Sequence, residues 1–235
     1  MTRRRIGITM RIVEAQEYRE ARNALSLDWG EWFRRVMPDV TPIPLLNVAD
    51  GVEDWIRGMD LHAFILSSGN DWGSAPERDE TERHVVEYAL RHEFPLLGTC
   101  RGLHALNVIF GGGLSEDVVQ VTGRSHVAVD HPVRISDSRF ALTDENRIVV
   151  NSYHDQGVLE QELSAELRPF AVSEDGVVEG AYHPSRPALA VQWHPERPHP
   201  SQHYDQRLLE RFFAEGAFWA AEAPRVDPGS CKPSS

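Results

Sequence analysis

Two short stretches of this chain carry residue types that together could break an amide bond. One is Gly98-Thr99-Cys100-Arg101-Gly102, a cysteine spaced between two glycines. The other is His194-Pro195-Glu196, a histidine with a carboxylate two residues on. A thiol becomes a strong nucleophile when a neighbouring base takes its proton, and the base works best when a third group orients it. In extended chain, residues i and i+2 point to the same side, so His194 and Glu196 can lie together. Pro195 favours that geometry by fixing its own φ and biasing His194 towards an extended conformation. Each stretch also has a plainer reading: Cys100 as a core cysteine, His-Pro-Glu as a surface turn.

The flanking sequence says what would position these groups. Phe94-Pro95-Leu96-Leu97 reads as a short buried strand, and Leu103, Leu106, Asn107 and Phe110 begin a helical pattern. Cys100 then stands at the apex of a strand–turn–helix, the cysteine counterpart of the G-x-S-x-G elbow, where glycines let the backbone bend sharply. At a helix N-terminus, unpaired N–H groups and the helix dipole favour a thiolate. Ala188 to Trp193 is a second buried strand, leading into His194. In open parallel sheets, sites form at the carboxyl ends of strands, where residues 94 positions apart can meet. Leu61 to Leu66 is a third such strand, closed by Ser67-Ser68-Gly69-Asn70-Asp71. The N–H groups of Gly69 and Arg101 could form an oxyanion hole. An ordinary strand-end turn fits that loop equally well.

The wider pattern supplies a frame. Arg5 to Ile12 reads as a strand, Tyr18 to Met37 as a helix, Val40 to Leu46 as a strand, Ala49 to Met59 and Glu77 to His92 as helices. Strand and helix thus alternate four times through the elbow helix. This predicts an α/β fold: a doubly wound, mostly parallel, flavodoxin-like sheet with helices on both faces. The second half holds short β-like runs at Val118 to Thr122, His126 to Ile135, Arg147 to Asn151, Leu167 to Val172 and Val177 to Tyr182, a small antiparallel extension. An amphipathic helix spans about Gln202 to Ala221. One domain over residues 1–222 and a disordered Pro-, Gly- and Ser-rich tail at 223–235 are expected.

Composition narrows the function. A net charge of −12 over 235 residues argues against nucleic-acid or anionic-membrane partners. The one lysine, Lys232, lies in the tail, which excludes a Walker-type phosphate loop and a Schiff-base lysine in the folded body. Two cysteines, Cys100 and the tail's Cys231, make a structural disulfide improbable and point to a reducing cytoplasm. The basic start Met1-Thr2-Arg3-Arg4-Arg5 is not followed by an apolar stretch of signal-peptide length. No Cys-x-x-Cys, His-Glu-x-x-His or calcium loop is present, so no metal and no cofactor are expected. His126 and His131, five apart in a β-like run, read as facing opposite sides. His84, His92, His199 and His203 read as solvated. The oligomeric state is open, a homodimer included.

Four blocks in order carry a resemblance: Leu66-Ser67-Ser68-Gly69-Asn70-Asp71, Gly98-Thr99-Cys100-Arg101-Gly102, Val150-Asn151-Ser152-Tyr153-His154-Asp155-Gln156, and Val191-Gln192-Trp193-His194-Pro195-Glu196. Together they resemble the class I glutamine amidotransferase-like superfamily, and within it the γ-glutamyl hydrolase branch that includes γ-glutamyl-γ-aminobutyrate hydrolases. Tyr18-x-Glu20-x-Arg22, Leu25-x-Leu27-Asp28-Trp29, Arg78-Asp79 and His194-Pro195-Glu196-Arg197 are also similar to the γ-glutamyl-CDP-amidate hydrolases, which are associated with phosphoramidate modification of bacterial surface polysaccharides. The resemblance implies Cys100 as nucleophile, His194 as base then acid, Glu196 as its orienter, and Gly69 and Arg101 as oxyanion donors. It implies a small γ-glutamyl amide as substrate, met by Ser152, Tyr153 and His154. His104 stands where the superfamily usually has a substrate-contacting glutamine, and Ser68 where glycine is frequent. Asn70 and Arg11, with Tyr18 and Arg22, are candidates for a pocket around a phosphorylated leaving group, or equally surface ion-pair residues. A glutaminase subunit supplying ammonia to a separate synthetase is the alternative enzyme.

Overall fold

The computed structural model describes residues 4–143 and 146–220. In chain order the strands and helices of the first half are β1 (Arg4–Thr9), β2 (Arg11–Glu14), β3 (Ala21–Ala24), α1 (Leu27–Val36), β4 (Val40–Leu45), α2 (Val52–Met59), β5 (Phe64–Leu66), α3 (Pro76–Arg91), β6 (Leu96–Thr99) and α4 (Arg101–Ile109). The second half adds α5 (Val118–Thr122), β7 (Val127–Ile135), β8 (Arg147–Tyr153), β9 (Arg168–Ser173), β10 (Val178–Tyr182), β11 (Ala188–Val191) and α6 (Gln202–Glu215).

The described strands form a nine-stranded sheet of order β4-β1-β5-β6-β11-β10-β9-β7-β8, beside a separate β2–β3 hairpin. The first five neighbours run parallel and the remaining pairings are antiparallel. The doubly wound expectation is therefore met, with the antiparallel strands continuing the same sheet past β11. The parallel strands are buried on both faces and read as apolar runs for that reason. Ile8, Ile65, Leu97 and Val191 face a core closed by α1 and α6, through Trp29, Trp32, Phe33, Leu208 and Phe212. Phe64, Leu66, Leu96 and Ala190 face a second core closed by α2, α3 and α4, through Ile56, Val85, Val86 and Leu103.

Three sequence expectations are corrected. The helix read over Tyr18 to Met37 begins only at Leu27, where Ser26 caps it by accepting from the Asp28 N–H. Its first part is instead the hairpin strand β3, paired with β2 from Arg11↔Ala24 to Glu14↔Ala21, and Tyr18 is exposed. The β-like run Val118 to Thr122 is a short helix, N-capped by Asp117 and ended by Gly123 in the left-handed region. His126 and His131 do not face opposite sides. A bulge between Val127 and Val129, with Ala128 at φ 55°, inserts an extra residue, and their rings meet with centroids 4.8 Å apart. The tail assigned to disorder, with Cys231 and Lys232, lies outside the described residues, as does Ala221 at the end of the last predicted helix.

Candidate active site

The elbow is built as its spacing implies. Cys100 sits between β6 and α4 at φ 51°, ψ −108°, a conformation that L side chains rarely adopt and that neighbouring structure must hold in place. Two glycines make that possible. A Cβ on Gly98 would lie 2.5 Å from the Gly102 carbonyl oxygen, and one on Gly102 would lie 2.4 Å from the Leu66 carbonyl oxygen. Strand, elbow and helix touch backbone to backbone there, so no side chain fits. The Cys100 N–H donates to the Val191 carbonyl at 2.8 Å, which ties the cysteine's position to the strand that leads to His194.

His194 and Glu196 follow β11, the strand beside β6, so both stretches emerge at one carboxyl edge. Nδ1 of His194 meets Glu196 Oε1 at 2.8 Å, and both residues are buried. The backbone of His194 is clamped by Asn151, whose Oδ1 accepts its N–H at 2.9 Å and whose Nδ2 donates to its carbonyl at 3.0 Å. Nε2 has no conventional hydrogen bond, leaving it the free position of the ring. Burial alone would lower the His194 pKa. The influence of the Cys100 sulfur, helped by Glu196, outweighs burial and raises it to about 9.

The Gly69 loop follows β5, on the other side of β6. Gly69 has φ 85°, and a Cβ there would strike the Arg11 guanidinium at 2.5 Å. Arg101, the first residue of α4, has an N–H with no intrahelical acceptor. Its side chain turns away, to Glu82 and Asp79, with its guanidinium over the Trp72 ring. Arg78 donates to the carbonyls of Ser67, Ser68 and Gly69, holding the loop from behind. Glu82, fully buried, takes Arg78 on one oxygen and Arg101 on the other. Burial would raise its pKa, but Arg101 and Arg78 hold it below the usual carboxylate range. Burial pushes the Arg78 pKa down to about 10.

The remaining sequence candidates divide. Tyr153 is 45% exposed, its ring edge-on to His194 at 5.5 Å and under the Arg197 guanidinium at 4.5 Å. Arg11 lies against Gly69 on the other flank. Asn70 instead spends both ends of its amide on the Ile12 backbone, at 2.8 and 2.9 Å, fastening the β2–β3 hairpin to the loop. The Ser152 hydroxyl donates to the His126 carbonyl at 2.6 Å. His104 is buried against Gln192 at 2.9 Å, and burial lowers its pKa to about 4, so its ring stays neutral. His154 turns Nδ1 to the Gln156 carbonyl. His199, expected to be solvated, is buried and bonded to Asp205, which also accepts from the Trp193 indole at 2.9 Å. Pro198 and Pro200 around it read as surface sequence, and β8 and α6, through the Val149 carbonyl and Asp205, cover it. Asn151 lies within the Val150–Gln156 block, whereas nothing in the sequence signals that Arg78 and Glu82 are buried.

The chain belongs to the peptidase C26 family, whose model matches residues 67–196, from the Gly69 loop through Glu196. It is 35% identical over 200 residues to a glutamine amidotransferase-like protein of Lactococcus lactis, covering 82% of this chain and 80% of that one. It is 29% identical over 199 residues to the γ-glutamyl-CDP-amidate hydrolase of Campylobacter jejuni, covering 82% and 90%. Identity to the γ-glutamyl-γ-aminobutyrate hydrolase of Escherichia coli is 30% over 175 residues, covering 68% of each. A glutamine amidotransferase structure from Thermotoga maritima shares the fold with a TM-score of 0.58 at 17% identity, over 91% of this chain and 84% of that one. Among the described residues no helix is long and apolar enough to cross a membrane.

Proposed function

We propose that this chain hydrolyses the amide bond of a γ-glutamyl compound, with Cys100 as nucleophile and His194 and Glu196 as its acid–base pair. The observation that carries the reading is the strained cysteine elbow beside a His194–Glu196 bond of 2.8 Å, both at one sheet edge. In the reaction, the Cys100 sulfur attacks the γ-carbonyl carbon, and the N–H groups of Gly69 and Arg101 receive the oxyanion. As the C–N bond breaks, imidazolium His194 gives its proton to the leaving nitrogen. Neutral His194 then takes a proton from water, which attacks the thioester; glutamate leaves and the thiol is restored.

For the leaving group, the reading that the surface supports best is a phosphorylated one such as the CDP-amidate named for the Campylobacter relative. Arg11 on one flank, and Arg197 stacked on exposed Tyr153 on the other, offer guanidinium forks for phosphate oxygens and an aromatic face for a base. A carboxylated amine, as in γ-glutamyl-γ-aminobutyrate, would engage one arginine and leave the aromatic face unused. The test is incubation with a panel comprising γ-glutamyl-CDP-amidate, γ-glutamyl-γ-aminobutyrate and free glutamine, with glutamate release followed by mass spectrometry. Preference for the nucleotide substrate is expected. Preference for the aminobutyrate amide overturns the leaving-group reading, and activity on glutamine only in the presence of a synthetase overturns the hydrolase reading.

The elevated His194 pKa also sets a pH profile. Because the imidazolium is the acid for the leaving nitrogen, kcat/KM falls as pH rises through about 9. A profile still rising at that pH would remove His194 from the acid role.

A further inference from the structure

Four side chains that the proposed reaction does not use converge between the antiparallel extension and the strand leading to His194. They are His126 just before β7, His131 within it, His154 just after β8, and Glu179 on β10. Glu179 is fully buried, and neither of its carboxylate oxygens has a hydrogen-bond partner. Around its Oε1 stand His131 Nε2 at 3.4 Å, His126 Nδ1 at 3.7 Å and His154 Nε2 at 3.9 Å. Those three nitrogens are themselves buried without partners. One donor atom from each of His126, His131 and Glu179 lies within 4.8 Å of the other two.

The outward-facing ring nitrogens explain the inward ones. His126 Nε2 meets Asp175 Oδ2 at 2.9 Å, and His154 Nδ1 meets the Gln156 carbonyl at 2.8 Å. A neutral imidazole has one N–H, and an acceptor on the outside claims it. What His126 and His154 turn towards Glu179 is therefore a lone pair. Lone pairs facing a carboxylate in a dry interior repel unless a positive charge stands between them. Three arrangements relieve this: a proton held on Glu179, which burial favours by raising its pKa well above the usual carboxylate range, a second proton on one imidazole, or a metal cation at the centre.

The arrangement has the marks of a metal centre. Ligating histidines characteristically give their distal N–H to a carboxylate or backbone carbonyl, as His126 does here to Asp175. Two imidazoles and a carboxylate with a fourth position open to water are a donor set suited to zinc, and bonds of about 2.0–2.1 Å place tetrahedral ligands about 3.3–3.4 Å apart. His131 meets that separation from Glu179 and His126 exceeds it by a few tenths of an ångström, whereas His154 stands farther out. A surface cleft of about 50 Å³, lined by Arg124, Ser125, His126, His131 and Asp175, gives an ion a way in.

We propose that His126, His131 and Glu179 form a binding site for a divalent transition metal, with zinc the best match and His154 beside it. The ion would tie the start of β7 to β10. Glu179 also accepts the Gln192 N–H through its own carbonyl at 2.8 Å, so the site braces the strand end that carries His194. Binding is independent of the proposed hydrolysis and is measured without substrate.

The test uses the full chain carrying Cys100→Ser, which removes the one described thiol as a competing ligand. After dialysis against a chelator, the protein is titrated with Zn²⁺ and separately with Co²⁺. One equivalent of zinc, a raised thermal midpoint, and the visible absorption of a tetrahedral nitrogen–oxygen cobalt centre are expected. His131→Ala and Glu179→Gln should each weaken zinc binding at least about tenfold, and Asp175→Asn, which touches no metal, about 10–100-fold. Because His131 is partly exposed and Glu179→Gln keeps its shape, folding of these variants is checked by near-UV circular dichroism. Absence of stoichiometric zinc in the Cys100→Ser chain, or zinc affinity unchanged in both ligand variants, overturns the proposal and leaves a proton, on Glu179 or on an imidazole, to relieve the cluster.

Discussion

Cys100→Ala should lower glutamate release by at least about a thousandfold, since a nucleophile removed from a set that acts as a unit takes nearly all the catalysis with it. Folding should survive. Alanine keeps a Cβ at φ 51°, so the elbow's strain is neither added to nor relieved, and the Gly98–Gly102 contact is untouched. The same variant tests the electrostatics. With the sulfur gone, burial is opposed chiefly by Glu196, so the His194 pKa should drop from about 9. Ring titration followed by NMR reads that shift without any substrate. Wild-type turnover in this variant would end the proposed mechanism. A His194 pKa unmoved in inactive protein would instead separate nucleophile from base.

What the sequence disclosed, and what it hid, follows one rule: local geometry was legible and its tertiary consequences were not. The Cys100 elbow could be read because backbone contact demands glycine at fixed offsets, here positions 98 and 102. His194 and Glu196 could be read because Pro195 restricts the chain between them. Helix α3 shows the opposite case. Its Arg78, Asp79 and Glu82 look like a solvated charged face, and only the meeting of α3, α4 and the Gly69 loop makes them an interior network. The period of His126 and His131 was read correctly for a regular strand, but one bulged residue at Ala128 reverses every side chain before it. Tyr18, Ala21 and Leu25 continue the spacing of α1 by chance, so the pattern alone overextends it. Ser26, two residues before Asp28, is the helix-start signal that the sequence carries.

The buried network leads to the second large effect, Glu82→Gln. The glutamine fits the space, but one side-chain oxygen becomes an NH₂ facing a guanidinium, donor against donor. Two cations, Arg78 and Arg101, are then left with Asp79 as their remaining carboxylate. Breaking a buried ion pair from one side typically costs about 3–5 kcal/mol, and a loss of that size is expected in denaturant unfolding. A loss below about 1 kcal/mol would mean that the network is far more hydrated than its burial implies. Turnover should fall as well, because Arg78 holds the carbonyls of Ser67, Ser68 and Gly69, and with them the aim of the Gly69 N–H. The double variant Arg78→Met, Glu82→Leu separates the two roles. Apolar replacement of that pair should restore part of the stability, since buried pairs are often no better than well-packed hydrocarbon and Arg101 keeps Asp79. It cannot restore the three donations to the loop, so kcat should remain depressed in a protein that again folds well. Recovery of both together would assign the network to stability alone and leave the Gly69 loop to hold itself.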